Sequence, residues 1–340
     1  MNLKDLAAHL QLAASTVSRV LAGRGDEFRI STETQRRIQD AAVEYGVRID
    51  PVGRGLRLRR TGTIGLVVPD IANPFFAALA GAVERQARLK GYAVLLADSQ
   101  ESTDVEAAAV QALLEHRVDG FILAPVGGDG AHLVALAEKR VPLVQVDRVI
   151  SRLPTPAVKA DNFFAAQEAV RWLVALGHRR IACVQARADS TVIQDRLEGY
   201  RAGLREAGIS LDEAWIGGSG HSVENGRREA LRLLALTPRP SAVLALSNLL
   251  ALGVLEAAQE RGLDMPRELS LVSFDEQPWA ALLKPSLSTL EQPVEAMGTA
   301  AVELLQAQMN PTEAVEAASE QRTLPVVLRR RGSVAQVVEP

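Results

Sequence analysis

The chain has 340 residues, 47% of them apolar and 23% charged, a balance that excludes a mostly disordered chain and leaves room for two to three domains. Its net charge of −3 conceals an asymmetry: residues 1–60 hold 11 Lys and Arg against 7 Asp and Glu, a net of +4, and the remainder carries −7. Only one end of the chain is therefore suited to a polyanion. The nearest thing to a membrane span, residues 242–258, is interrupted by Ser247, Asn248 and Glu256, so no membrane partner is expected. Lys4, Asp5 and His9 break up the first apolar residues, which leaves no export signal and points to the cytoplasm. The single Cys183 excludes an internal disulfide and a thiolate metal cluster.

Leu3, Leu6, Ala7 and Leu10 fall on one stripe of a short predicted helix. Val17, Val20 and Leu21 form the stripe of a second, which Gly23 to Gly25 end. A third follows Ser31 as N-cap, with Ile38, Ala42 and Tyr45 inward and Gly46 as its stop. Three short helices with tight turns read as a helix-turn-helix module. The outer face of the second helix shows Ala14, Ser15, Ser18, Arg19 and Ala22. That face is thin enough for a major groove, and Arg19 is able to grip guanine bidentately. Small residues also serve as plain surface. Phe28 and Tyr45 are the only aromatics among the first sixty residues, too few for a single-strand stacking platform, so duplex DNA is favoured.

Residues 51–60 follow, with Arg54, Arg57, Arg59 and Arg60 around Leu56. They read as a solvated linker, or as a minor-groove element in which arginines track phosphates and Leu56 is the wedge.

From Thr61 onward, β-branched runs alternate with helical stretches: residues 64–68, 93–97, 121–124, 143–146, 181–184, 242–246 and 269–274. Spacing of about thirty residues is that of βαβ units, which predicts an α/β body with parallel sheets. Ligands bind beyond the carboxyl ends of such strands. The residues found there are mostly polar: Asp70, Asp98, Pro125, Asp147, Arg148, Gln185, Ser247, Asn248 and Asp275. The glycine-rich stretches 127–130 and 217–220 lack a P-loop lysine and read as turns. The five histidines are far apart, and Asp275 and Glu276 are adjacent residues that rarely converge. No catalytic constellation, cofactor signature or metal site is expected.

The run Leu3 to Leu10, then residues 15–21 (STVSRVL), Arg54 to Arg57, Gly62 to Asp70 and Asn73 to Phe76 resembles the LacI/GalR family of bacterial repressors. Residues 25–31 and 84–88 resemble its fructose repressor (catabolite repressor/activator) branch. The resemblance implies that the second helix, with Ala14, Ser15, Thr16, Ser18 and Arg19, reads a palindromic double-stranded operator. It also implies a hinge helix, with Arg54 and Arg57, whose Leu56 enters the minor groove, and no enzymatic activity. Where a serine cap is usual the chain has Ala13, a loss of about 0.5–2 kcal/mol, and Ser15 is a candidate to move the helix start by two residues. Gly53 and Gly55 each disfavour a hinge helix by about 1 kcal/mol, so the hinge is expected to fold only on DNA.

The body would then be two-lobed, like a periplasmic sugar-binding protein, with an effector between the lobes. On the family's pattern the effector residues are Phe76, Asp147, Arg148, Arg196, His221, Ser247, Asn248 and Asp275. Carboxylates and arginines bind adjacent hydroxyls, and Phe76 covers an apolar ring face. A sugar or sugar phosphate is expected, with a purine as the alternative. The expected domains are 1–48 for DNA, 49–61 as hinge, 62–333 as effector and dimerisation body, and 334–340 as tail. Within the body the N-lobe is about 62–160 and 292–322, and the C-lobe about 161–291 and 323–333. The whole is expected to be a homodimeric transcriptional regulator, with a transport component as the less favoured reading.

Overall fold

The computed structural model describes residues 1–21, 23–47, 61–128, 130–187, 189–310 and 320–337. Ala22, Asp129 and the residues expected in a hinge, Arg54, Leu56 and Arg57, lie outside the described residues. The chain divides into two units, Met1–Gly62 and Thr63–Pro340.

The first unit holds helices α1 (Leu3–His9), α2 (Ala14–Leu21) and α3 (Thr32–Glu44). Asn2 opens α1 with a reciprocal cap: its side chain accepts from the Asp5 N–H at 3.0 Å, and the Asp5 carboxylate accepts from the Asn2 N–H at 3.1 Å. Ser31 caps α3 by accepting from the Thr34 N–H. Ser15 does not move the start of the second helix. α2 begins at Ala14, where the Ala13 carbonyl accepts from the N–H groups of Thr16 and Val17 at 2.9 and 3.2 Å. Leu6, Val17 and Ile38, one from each helix, are fully buried in one core with Leu10 and Val20. Tyr45, expected inward, is instead 36% exposed and stands edge-on to His9, because it is the C-cap residue, where the chain leaves the helix. The Arg37 guanidinium donates to the Leu10 carbonyl at 2.7 Å and so satisfies a helix-end acceptor.

The second unit is α/β, with two six-stranded sheets. The first contains β1 (Thr63–Val68), β2 (Ala93–Asp98), β3 (Phe121–Leu123), β4 (Leu143–Val146), β5 (Ala157–Ala160) and β11 (Gln321–Leu324). The second contains β6 (Ile181–Val184), β7 (Ile216–Gly217), β8 (Ala242–Ala245), β9 (Ser270–Phe274), β10 (Ser288–Glu291) and β12 (Val327–Arg329). The helices are α4 (Pro74–Leu89), α5 (Thr103–Glu115), α6 (Ala131–Glu138), α7 (Asn162–Ala175), α8 (Thr191–Glu206), α9 (Val223–Leu234), α10 (Asn248–Glu260) and α11 (Val294–Met309).

The strand orders are β11-β5-β4-β3-β1-β2 and β12-β10-β9-β8-β6-β7. Apart from the terminal strands β11 and β12, the two lobes thus repeat one doubly wound order, with switch points between β1 and β3 and between β6 and β8. All pairings are parallel except β10 with β12. Helices cover both faces of the N-lobe sheet, which explains the near-continuous apolar runs. Ile64, Leu66 and Val68 pack on one side with α4 and α11, while Val67 packs on the other with α5 and α6. All seven strand runs read from the sequence are strands. The five others are short, and several carry polar residues such as Lys159, Ser288 and Gln321, so they lack an apolar signature. Beyond β12 the chain stays on the C-lobe: Ser333 is buried against β9 and β10, and the Val337 N–H donates to the Leu176 carbonyl at 2.8 Å.

In the C-lobe, α9 and α10 touch backbone to backbone. A Cβ on Gly253 would stand 2.3 Å from both the Val223 carbonyl oxygen and the Arg227 nitrogen. Gly253→Ala is therefore expected to destabilise the body by about 1–3 kcal/mol or more, lowering Tm by several degrees in a thermal melt followed by circular dichroism. An unchanged Tm would show that the two helices separate at little cost.

Candidate ligand cleft and nucleic-acid interface

The carboxyl ends of the strands of both lobes border one narrow cleft. Seven of the eight residues expected there line it: Phe76, Asp147, Arg148, Arg196, His221, Ser247 and Asp275. Asn248 stands behind them. Its backbone N–H donates to Asp275 Oδ2 at 3.3 Å, and its side-chain amide reaches across the lobes to Asn73 Oδ1 at 3.0 Å. Ser247 is also the N-cap of α10, accepting from the Leu250 N–H.

Asp147 and Asp275 are counterparts, each following the corresponding strand of its lobe, β4 or β9. Both take the left-handed backbone, with φ of +65° and +70°, which non-glycine residues seldom do. Between them lies Arg196, buried on α8. Its Nε donates to Asn162 Oδ1 at 2.7 Å and its Nη1 to the Leu246 carbonyl at 2.6 Å, while the guanidinium stacks 3.9 Å from the centre of the Phe274 ring. Nη2 approaches Asp275 Oδ1 at 3.9 Å, an ion-pair distance and not a hydrogen bond. Arg148 is gripped in a fork by Glu101, with N–O distances of 2.8 and 2.7 Å, and lies 5.5 Å from the centre of the Phe76 ring.

Burial dominates the electrostatics. It pushes the Asp147 carboxyl up to about 6, against the pull of Arg196 and Arg148 and with help from Asp275 and Glu101. It lowers His221 to about 4, assisted by the Arg148 charge, so His221 is a neutral ring at pH 7. Four buried polar atoms on the cleft wall have no hydrogen-bond partner: Asp147 Oδ1, Ser190 Oγ, His221 Nε2 and Gln292 Oε1. Two are obligate acceptors, and Ser190 and the neutral His221 are able to accept.

Asn73, Phe75, Ser190, Val192, Ile193 and Gln292 also line the cleft and were not foreseen. Asn73 opens the Asn73–Phe76 motif, and as the N-cap of α4 its side chain accepts from the Phe75 N–H at 3.0 Å. Gln292, which donates to Asp275 Oδ1 at 2.6 Å, follows a strand with no apolar signature. Asp70 and Asp98 cap their own turns, and Glu276 faces away to Arg331, so Asp275 and Glu276 do not converge. Cys183 is buried in its strand.

On the first unit, Ala14, Ser15 and Arg19 are exposed on α2, and Thr16 and Ser18 are half-buried. The Arg19 guanidinium stacks 4.0 Å from the centre of the Phe28 ring, an orienting contact that sequence reading missed because Phe28 lies in the polar loop. Among the described residues no helix is long and apolar enough to cross a membrane.

These features define a regulator with a helix-turn-helix unit and a ligand-binding body, and the chain belongs to the LacI family of transcriptional regulators. A profile described as a periplasmic binding protein-like domain matches residues 170–334. The HTH-type transcriptional repressor CytR of Escherichia coli K12 is 32% identical over 90% of this chain and 89% of its own length. The ribose operon repressor of Haemophilus influenzae is 33% identical over 92% and 93%. Among solved structures, a LacI family regulator from Enterococcus faecium with bound ribose is 28% identical with TM-score 0.72, covering 81% of this chain and all of that one. The lac repressor dimer bound to operator and the anti-inducer ONPF shares the fold, with TM-score 0.86 at 24% identity over 98% and 99%. CytR and the ribose operon repressor are repressors, and this protein is a transcriptional regulator, not an enzyme.

The raised Asp147 carboxyl has a consequence for stability. Between pH 3.8, its ordinary value, and about 6 the folded state holds a proton that the unfolded state has lost, so stability falls as pH rises through that window, by about 3 kcal/mol. Asp147→Asn is expected to match the wild-type Tm near pH 4 and to exceed it by several degrees above pH 6.5. A difference in Tm that does not vary with pH would refute the assignment.

Proposed function

We propose that the protein is a homodimeric repressor of carbohydrate genes whose effector is a single uncharged sugar ring, a pentose such as ribose, held between the lobes. The four unpartnered polar atoms on the cleft wall carry this reading. Each costs about 1–3 kcal/mol if left unmet, and a ring of hydroxyls can meet all four, whereas a phosphate offers no donor to the obligate acceptors Asp147 Oδ1 and Gln292 Oε1. Phe76 would cover the apolar face of the sugar, Asp147, Arg196, Asp275 and His221 would bind hydroxyls, and Ser247 and Asn248 would support them. Two relatives, the ribose operon repressor and the ribose-bound regulator, support the choice of a pentose.

Residues 1–48 would read a palindromic operator through Ala14, Ser15, Thr16, Ser18 and Arg19. Residues 49–61 would be the hinge, with Arg54 and Arg57 on phosphates and Leu56 in the minor groove. The body from 62 to 333 would dimerise, and its exposed Leu89, Leu95 and Leu96, the last two on edge strand β2, supply an apolar surface for that.

Titration calorimetry against ribose, other free sugars and nucleosides tests the effector. Ribose heat that Arg196→Met weakens by roughly 10–100-fold is expected, and silence towards every sugar overturns the proposal. Phe28→Ala, which frees Arg19, should weaken specific operator binding roughly fivefold in fluorescence anisotropy and leave nonspecific binding unchanged. Equal losses in both would remove Arg19 from base reading.

A further inference from the structure

We infer that Glu101 is a built-in counter-anion that restricts the cleft to uncharged effectors, a reading that rests on the cleft being the effector site. Two arginines in one small cleft would ordinarily invite a phosphate. Here Arg148, the one at the cleft wall whose two terminal nitrogens could take a phosphate in a fork, presents both to Glu101: Nη1 donates to Oε2 at 2.8 Å and Nη2 to Oε1 at 2.7 Å. Both fork donors of Arg148 are thus engaged before any ligand arrives.

The backbone sets this arrangement. Gln100 and Glu101, just past β2, both have left-handed φ, +51° and +53°. The turn is held by the Gln100 N–H donating to Asp98 Oδ1, the Glu101 N–H to the Pro69 carbonyl and the Ser102 N–H to the Ser99 carbonyl, each at 2.9 Å. The Glu101 carbonyl in turn accepts from Arg187 Nη1 at 3.3 Å, a contact from the other lobe. Burial works against the charge on Glu101, but Arg148 outweighs it and, with His221 and Arg187, holds the carboxyl below the usual range. The other nearby cations are also taken: Arg187 pairs with Asp189 at 2.6 Å, and Arg196 lies between Asp275 and Asp147. Glu101 is not among the residues lining the cleft, so it acts through Arg148 as a positioning residue.

Glu101→Gly tests this, because it removes the carboxylate with its side chain and glycine adopts φ +53° freely, so the turn is not strained. The probes are inorganic phosphate alone, then ribose against ribose 5-phosphate, in calorimetry and thermal melts at constant ionic strength. Wild type should give no phosphate heat. Glu101→Gly should bind phosphate, gain Tm with it, and lose at least about tenfold of the preference for ribose over its 5-phosphate, while Glu101→Asp restores wild-type behaviour. Phosphate binding by wild type as strong as by Glu101→Gly, or none by either, overturns the inference. Should Glu101→Gly not fold, Arg148→Gln decides. The inference requires phosphate heat to stay absent in both wild type and variant, and wild-type phosphate binding that Arg148→Gln abolishes overturns it. If no sugar binds any of these proteins, the sugar proposal falls, and the inorganic phosphate arm still decides the role of Glu101.

Discussion

The buried guanidinium of Arg196 is the constraint around which the cleft is organised. A charge out of water is tolerated only when it is paired and hydrogen-bonded, and removing one partner from such a site typically costs about 3–5 kcal/mol. Arg196 meets that requirement with the Asn162 side chain at the start of α7, the Leu246 carbonyl after β8, and the Asp275 carboxylate and Phe274 ring at the end of β9. Four separate segments of the C-lobe are thereby brought to one point. Asp147 adds a second carboxylate from the N-lobe, so the charge also draws the lobes towards a common centre.

Elsewhere on the cleft wall four buried polar atoms have no partner within the chain. Asp147 Oδ1, Ser190 Oγ, His221 Nε2 and Gln292 Oε1 come from both lobes, and the cross-lobe bonds of Asn248 to Asn73 and of the Val149 N–H to Thr191 Oγ1 span the same gap. A ligand that satisfies atoms on both sides has more to gain with the lobes closed than open. That difference in binding free energy is what an effector needs in order to bias a conformational equilibrium, and it acts reciprocally on any second ligand that senses the same equilibrium.

Much of this was legible in the sequence, and the omissions have physical causes. Strands with apolar runs on a doubly covered sheet were visible because burial on both faces demands such runs, as in Ile64–Val68 and Ile181–Val184. β5, β7, β10, β11 and β12 are only two to four residues long, and several carry polar side chains, so neither run nor alternation marks them. Gln292 went unseen because it follows one of these. Glu101 went unseen because nothing local ties a glutamate in a turn to an arginine 47 positions later. Helical periodicity places Tyr45 inward, but it ceases to apply where the helix ends.

By itself the sequence determined the three-helix unit, the alternation of strands and helices, the basic arm and acidic body, and seven residues of the cleft wall. The first three follow from periodicity, capping and composition, which act over short distances along the chain, and the cleft residues from the resemblance to the LacI/GalR family. Only the tertiary structure decided which polar atoms are left without partners, that Arg148 is already occupied by Glu101, and that Arg19 stacks on Phe28. The reason is that pairing and desolvation depend on distances between segments remote in sequence. An arginine on a cleft wall can serve an anion or be closed to one, and a carboxylate folded against it from 47 positions away, as Glu101 is against Arg148, is visible only in three dimensions.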